Sequence, residues 1–568
     1  MILRPPPLSL RSILLLALAV AALLRVLVNL AAPTQLHHPE EFVNLRLSAA
    51  LLGGYPDEAG LLPEFPAAPP GSEASLAPSL FDYQYQDWDG GTLVVAVVLV
   101  PIAAVLGLSV AAVKSGAMLW ALAVIASWVL LFARLYGRRG AMLAALCFVA
   151  TPVPYLLQSC IHWGNHVESA LFVPLGLLAL ILVMEASQPR RVLLWSVVLG
   201  LVFGFASWFS LLNLTPALLT LVALALLSGR QAPVRLFCFA VGFTAGFSPW
   251  FGRNDFGIFG DELVHGQSLV DVFSGVLSYG WGPADLWDLL TGYPRFFDWS
   301  IHGLWQVPEA VLWPLDRLTR ITVLLCGLLA LLDAARSSLA VDGSSGRLRF
   351  GVLLVISLSA LAMPILLASQ GEHSDRRLGP IYPLLWALLA AGVASSWLRP
   401  RLRWLLGGLV ATVLVANICA TMGLISSWDR PADRLRPWQH FALPAAEPRS
   451  RIEACVPHLA AHQVAPLNAA LKTLYAGSRS GGLEELQGIC RAFAGRGTFL
   501  QRPSADCPER GEIDIMELWL VDDLAEARAL GRGLAIRCSQ GLSELGGVCD
   551  EVNGAELREA CRQGLTEN

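Results

Sequence analysis

The stretch AMLWALAVIASWVLLFARLYGRRGAMLAALCFVATPVPYLLQ, residues 117–158, contains two apolar runs separated by a short turn that carries Arg134, Arg138 and Arg139. Each run is close to the ~20 residues that an ~30 Å hydrocarbon layer requires. Three guanidinium groups cannot rest in lipid, so the stretch reads as two membrane crossings joined by a connection on the cytoplasmic side, where arginine is favoured. Runs of the same kind lie at 12–32, 93–113, 169–186, 192–209, 211–228, 236–251, 320–335, 351–369, 380–397 and 404–425. With 55% hydrophobic and 15% charged residues over 568 positions, the chain is too apolar for an ordinary water-soluble domain.

The arginines between the runs fix the expected orientation. Arg134, Arg138 and Arg139, then Arg190 and Arg191, Arg230 and Arg235, Arg336, Arg347 and Arg349, and finally Arg399, Arg401 and Arg403 mark five short connections, all expected inside. Run 93–113 breaks the alternation if it crosses. It is therefore expected to lie at the outer interface or re-enter, and Pro101 and Gly107 suit a broken helix. The first run follows Arg4 and Arg11, continues past Arg25 and lacks an A-x-A cleavage site, so it reads as an uncleaved anchor.

The expected fold is an all-α polytopic membrane protein of about 11 transmembrane helices. Residues 1–426 form the membrane domain, with interfacial helices in a first outer loop (33–92) and a second long outer loop (252–318). Residues 427–568 form a small soluble helical domain on the outer side. Six of the chain's 11 cysteines (Cys455, Cys490, Cys507, Cys538, Cys549, Cys561) fall in that tail, a number that permits disulfides in an oxidising compartment. Net charge is −4, without the basic excess of a nucleic-acid binder, and no phosphate-binding glycine loop points to ATP.

This topology puts the chemically loaded segments on the outer face. HHPEEF, residues 37–42, opens the amphipathic stretch EEFVNLRLSAALL. Acids in a first helical turn suit the helix dipole, at about 0.3–1 kcal/mol each. Beside a low-dielectric surface, Glu40 or Glu41 can also act as a general base, with His37 and His38 adjacent. HWGNHVE, residues 162–168, joins an outward run to an inward one; on a helix, His162 and His166 would share a face with Glu168 near, a spacing that can bind a divalent metal. Capping of helix ends and substrate contact are the other readings. Glu372, His373, Asp375, Arg376 and Arg377 precede the run containing Tyr382. Two adjacent outer arginines call for compensation, by the neighbouring acids or by a phosphate.

Taken in order, these features resemble the GT-C superfamily of membrane glycosyltransferases. The resemblance rests on the first helix with Arg25, the acidic HHPEE motif after it, and GLSVAAVKSGAMLWALAVIASWVLLFARLYGRR (107–139) with Lys114 at a position usually basic. GFSPWFGRND (246–255) and RRLGPIYPLL (376–385) add to it, and the whole covers roughly residues 10–425. The chain departs from the family where Glu40 replaces the usual aspartate and Arg377 a common tyrosine.

The resemblance implies transfer of a sugar from a polyprenyl-phosphate donor to a glycan, lipid or protein acceptor at the outer face, with inversion. Glu40 or Glu41 would deprotonate the acceptor, and Arg376 and Arg377 would stabilise the departing phosphate. His162, His166 and Glu168 would line the acceptor or sugar side. His37, His38, Glu372, His373 and Tyr382 are further substrate-binding candidates, and Asp87 and Asp89 in QDWDGG second-rank ones. No metal ligand set and no obligatory cofactor are assigned, although a divalent metal is possible. The rival reading is a polytopic transporter or lipid flippase, which should carry ionisable groups at mid-membrane and related halves. The arginine-rich composition, with Lys114 and Lys472 the only lysines, fits a bacterial inner-membrane protein with its N-terminus cytoplasmic and its tail periplasmic.

Overall fold

A computed structural model describes residues 9–31, 44, 48, 90–106, 110–253, 296–297, 309–339, 344–369, 379–395, 400–427 and 555–566. The described residues hold helices and turns and no strand. The helices are α1 (Leu10–Ala31), α2 (Gly91–Leu106), α3 (Val110–Val149), α4 (Val153–Gln158), α5 (Phe172–Glu185), α6 (Pro189–Phe209), α7 (Leu214–Ser228), α8 (Ala232–Arg253), α9 (Glu309–Ser338), α10 (Ser344–Ser369), α11 (Ile381–Ala394), α12 (Pro400–Ser427) and α13 (Ala555–Thr566). Each of the 12 apolar runs read from the sequence is matched by a helix or a pair of helices. Among the described residues, eight continuous helical stretches are long and apolar enough to cross a membrane. The protein is an all-α polytopic membrane protein.

Two of those eight stretches, Ala111–Val149 and Leu211–Pro249, are 39 residues long, about 58 Å if straight and far more than a bilayer. Both reverse direction. Gly137 in RLYGRR has φ 65 and ψ −158, a conformation that breaks the helix and favours glycine. Beyond it the chain returns along itself, because Trp128 stacks on Phe148 at 5.6 Å, a pair 20 residues apart. α3 is thus a helical hairpin, as the opening stretch of sequence required.

The second reversal follows from register. Cβ atoms built on Gly200 and Gly204 of α6 would fall on the carbonyl oxygens of Phe239 and Phe243 of α8; those built on Gly242 and Gly246 would fall on Val197 and Leu201. Positions rise together along both helices, so α6 and α8 run parallel and α7 between them runs the other way. The two G-x-x-x-G pairs let the backbones approach closely, which is how helices associate where lipid competes with every apolar contact. Phe239, Phe243 and Phe247 stack beside this seam, at 6.0 and 5.7 Å.

The arginine-bearing connections gather at one end of the bundle. Arg134 pairs with Glu185 at 3.5 Å, Arg139 donates to the Val393 carbonyl at 3.3 Å, and Arg235 donates to Ser228 Oγ at 3.3 Å and Gln231 Oε1 at 2.6 Å. Arg349 lies 5.4 Å from the Tyr136 ring centroid. The exposed pair contributes little, on the order of 0–1 kcal/mol; its value here is to show which turns are neighbours. α9, 30 residues and about 45 Å long, exceeds the apolar layer and projects its first turns at the opposite end.

α2 keeps to that opposite end. Gly90 N–H donates to the Trp208 carbonyl at 2.6 Å, Val95 packs with Trp120 and Phe209, and Leu99 reaches Gly116. Positions rise along α2 as their partners on α3 fall, so its first turns run antiparallel to the start of α3, beside the end of α6. Of the tail, only α13 is described; Cys561 within it is disulfide-bonded, while Cys147, Cys160, Cys238, Cys326 and Cys419 take part in no disulfide.

Candidate functional site

The end of the bundle opposite the arginine-bearing turns holds a buried polar cluster built around residues 158–169. α4 stops at Gln158: Ser159 Oγ donates to the Leu156 carbonyl at 2.7 Å, and Cys160 and Ile161 close tight turns on Leu157 and Gln158. The Trp163 indole N–H is tied to the Gln158 carbonyl at 2.8 Å. Gly164 adopts φ +111, and a Cβ there would meet Thr92 Oγ1 at 3.1 Å, so both backbone geometry and space select glycine. The chain then enters a 3₁₀ turn, Val167–Leu171, where Ser169 Oγ donates to the His166 carbonyl at 2.6 Å.

Glu168 is 2% exposed, and its Oε1 accepts the Trp163 backbone N–H at 2.8 Å. A carboxylate taken out of water this completely is held by a charge-assisted hydrogen bond that fixes the turn's shape. His162 and His166 are also buried, and His166 meets the edge of Trp163 at 6.0 Å. The helical i, i+4 pairing considered for the two histidines is not formed, because Gly164 bends the segment into a turn. Among the described residues, no three His, Cys, Asp or Glu side chains converge to hold a metal.

Asn44 and Ser48 bring the stretch after HHPEEF onto this turn. Both are helical and fully buried. Asn44 Nδ2 donates to the His162 carbonyl at 2.9 Å and stands 3.3 Å from His162 Nδ1. With the amide donating, Nδ1 accepts and the ring proton resides on Nε2, which faces Gly116 of α3. One turn on, Ser48 Oγ donates to the Ala96 carbonyl of α2 at 2.8 Å. Lys114 Nζ caps the Cys160 carbonyl at 3.2 Å. Four separate segments are thereby fastened to one another.

The start of α11 joins the same end. Tyr382 is 2% exposed, its ring 6.2 Å from Tyr155 of α4 and 5.9 Å from Phe296. Phe296 and Phe297 are held by Asp316 at the beginning of α9, whose Oδ1 accepts their backbone N–H groups at 2.8 and 3.2 Å. Asp316 Oδ2 takes Arg320 Nε at 2.6 Å, and the Arg320 guanidinium lies 5.9 Å from the Phe296 ring.

Of the residues singled out by sequence, His162, His166, Glu168 and Tyr382 thus occupy one end of the bundle. His37, His38, Glu40, Glu41, Asp87, Asp89, Glu372, His373, Arg376 and Arg377 lie outside the described residues. Sequence reasoning missed Asn44, Ser48, Tyr155 and the Asp316–Arg320 pair. Both Asn44/Ser48 and Asp316/Arg320 have i, i+4 spacing, a signal that was available. No protein-family model matches the chain, and no curated protein matches it in sequence.

Proposed function

We propose that this chain is an integral-membrane glycosyltransferase that moves a sugar from a polyprenyl-phosphate donor to an acceptor at the outer face of a bacterial inner membrane. One observation carries the reading. The helix that follows HHPEEF, the HWGNHVE turn and the helix that follows RRLGP meet at the end of the bundle opposite the arginine-bearing turns. By the positive-inside tendency that end is external. The N-terminus is then cytoplasmic, the chain crosses 11 times with α2 at the interface, and the tail is periplasmic, in keeping with the bonded Cys561.

In this mechanism Glu40 or Glu41 removes a proton from the acceptor, which attacks the anomeric carbon as the lipid phosphate departs, with inversion. Three peptide units span at most about 11 Å, so a base at Glu41 works within that reach of Asn44 and the turn it holds. Arg376 and Arg377 stabilise the leaving phosphate, and His162, His166, Glu168 and Tyr382 shape the sugar or acceptor side.

Separate Glu40→Gln and Glu41→Gln variants that insert normally test the base directly. At least one should abolish sugar transfer from a lipid-linked donor, assayed by mass spectrometry of lipids and surface glycans. Full transfer by both would remove the carboxylate mechanism.

A further inference from the structure

α1 carries a charge that its surroundings do not answer. Arg25 is 1% exposed, whereas Leu23 and Val26 beside it are 56% and 41% exposed, so the guanidinium lies on the bundle-facing stripe of the helix, with Ala17, Ala21 and Val28. Its Nε donates to Ser159 Oγ at 3.1 Å and its Nη1 to the Ala21 carbonyl at 3.2 Å. The buried Nη2 has no acceptor. Among the described residues no carboxylate pairs with Arg25, and the groups in electrostatic contact with it are the Tyr155 phenol and the Cys160 thiol, neither an anion at neutral pH. Tyr155 is itself 1% exposed, and its hydroxyl has no hydrogen-bond partner.

Arginine does not escape this situation by losing its proton. A guanidinium at membrane depth without a counter-ion is strongly unfavourable, and such residues normally pair or line a functional path. The buried Glu168 carboxylate reaches the same phenol but is not among the groups acting on the guanidinium, so the open donors are left for an anion from outside these residues. An oxyanion fits the unfilled donors: the guanidinium fork supplies Nη2, and the phenol supplies an O–H.

Depth narrows the source. Arg25 is six residues, about 9 Å, from the end of α1 that lies opposite the arginine-bearing turns, where a headgroup borne by a lipid can sit and a freely soluble ion is disfavoured. Tyr155 then leads through Tyr382, 6.2 Å away, to the helix that follows Arg377.

We propose that Arg25 and Tyr155 form a binding site for a lipid-borne phosphate ester. That this lipid is the polyprenyl donor rests on the glycosyl-transfer reading; the phosphate site itself does not.

The test is binding, not turnover. The full-length protein in uncharged detergent is titrated with a long-chain polyprenyl phosphate, the corresponding uncharged polyprenol, phosphatidylglycerol and inorganic phosphate, each followed by intrinsic tryptophan fluorescence. The wild type should hold the polyprenyl phosphate at least ~10-fold more tightly than the alcohol. Arg25→Gln should erase that preference, Arg25→Lys keep part of it, and Tyr155→Phe reduce it severalfold.

Equal binding of phosphate and alcohol by the wild type overturns the proposal, as does a folded Arg25→Gln with undiminished preference. Should Arg25→Gln not fold, Tyr155→Phe decides, since it deletes only an unbonded hydroxyl; an unchanged preference there counts against the site. Equally tight binding of phosphatidylglycerol supports the phosphate site and removes the donor assignment, and displacement by inorganic phosphate at the same concentration overturns a lipid source. Binding through Arg25 in a protein that transfers no sugar leaves the site standing and sinks the transferase reading.

Discussion

Replacing Gly204 or Gly242 by alanine tests the parallel α6–α8 seam, because each added methyl would fall on backbone of the facing helix. Beyond the carbonyl oxygens of Phe243 and Val197, the next atoms are the Phe243 carbonyl carbon and the Leu201 nitrogen, both 2.8 Å from the ideal Cβ. Carbon atoms settle at about 3.5–4.0 Å, so the helices must separate by roughly 1 Å, and backbone cannot turn aside as a side chain can. Overpacking of this kind costs about 1–3 kcal/mol per site, and the separation also loosens dispersion contacts along both helices.

Gly407 and Gly408 of α12 are internal controls. A Cβ there meets nothing within 4 Å, and replacing glycine in a helix by alanine should be neutral or favourable by about 0.5–1 kcal/mol. Thermal unfolding of the purified protein, followed by tryptophan fluorescence, should rank Gly204→Ala and Gly242→Ala below wild type, and Gly407→Ala and Gly408→Ala at or above it. Equal melting of all four variants would refute the close parallel contact, and with it the argument that α7 runs opposite to its neighbours.

Two further predictions concern the site and its sidedness. Asn44→Ala removes both contacts with His162 at a fully buried position; it should cost about 1–3 kcal/mol of stability and, in the transferase reading, lower kcat by about 100-fold with a smaller change in KM for the donor. A pure stability effect would instead reduce the amount of active protein and leave kcat per folded molecule intact. Reporter fusions at Arg138 and after Cys561 should read inside and outside respectively, and a fusion at Arg138 that reads outside would invert the sidedness on which the external site depends.

Most of the fold was legible because membrane helices answer to one dominant constraint. A run of about 20 apolar residues has few alternatives in lipid, and arginines mark the ends that stay in water. The hairpin at Gly137 could be read from RLYGRR for that reason. The seam between α6 and α8 could not: G-x-x-x-G in GLVFG and GFTAG is visible, but which helix meets which depends on contacts about 40 positions apart in sequence, and small residues face many partners. The bend at Gly164 that separates His162 from His166 was hidden for a related reason. Helical spacing assumes a helix, and only Gly164 hinted that the segment would take another path.

The site was half legible, and the missing half is instructive about what titratable residues do in a bilayer. His162 and Glu168 drew attention as chemical groups, yet the bonds shown for them run to Asn44 and to the turn's own backbone, across 118 and five positions. A buried carboxylate or imidazole must be satisfied somewhere, and here satisfaction fastens the turn to the stretch that follows HHPEEF. Arg25 stands at the opposite extreme, since sequence marks it only as a charge in an apolar run while the structure leaves its charge uncompensated. The paired groups of this cluster therefore hold the geometry, and among the described residues Arg25 is a cation with a donor left open for a ligand.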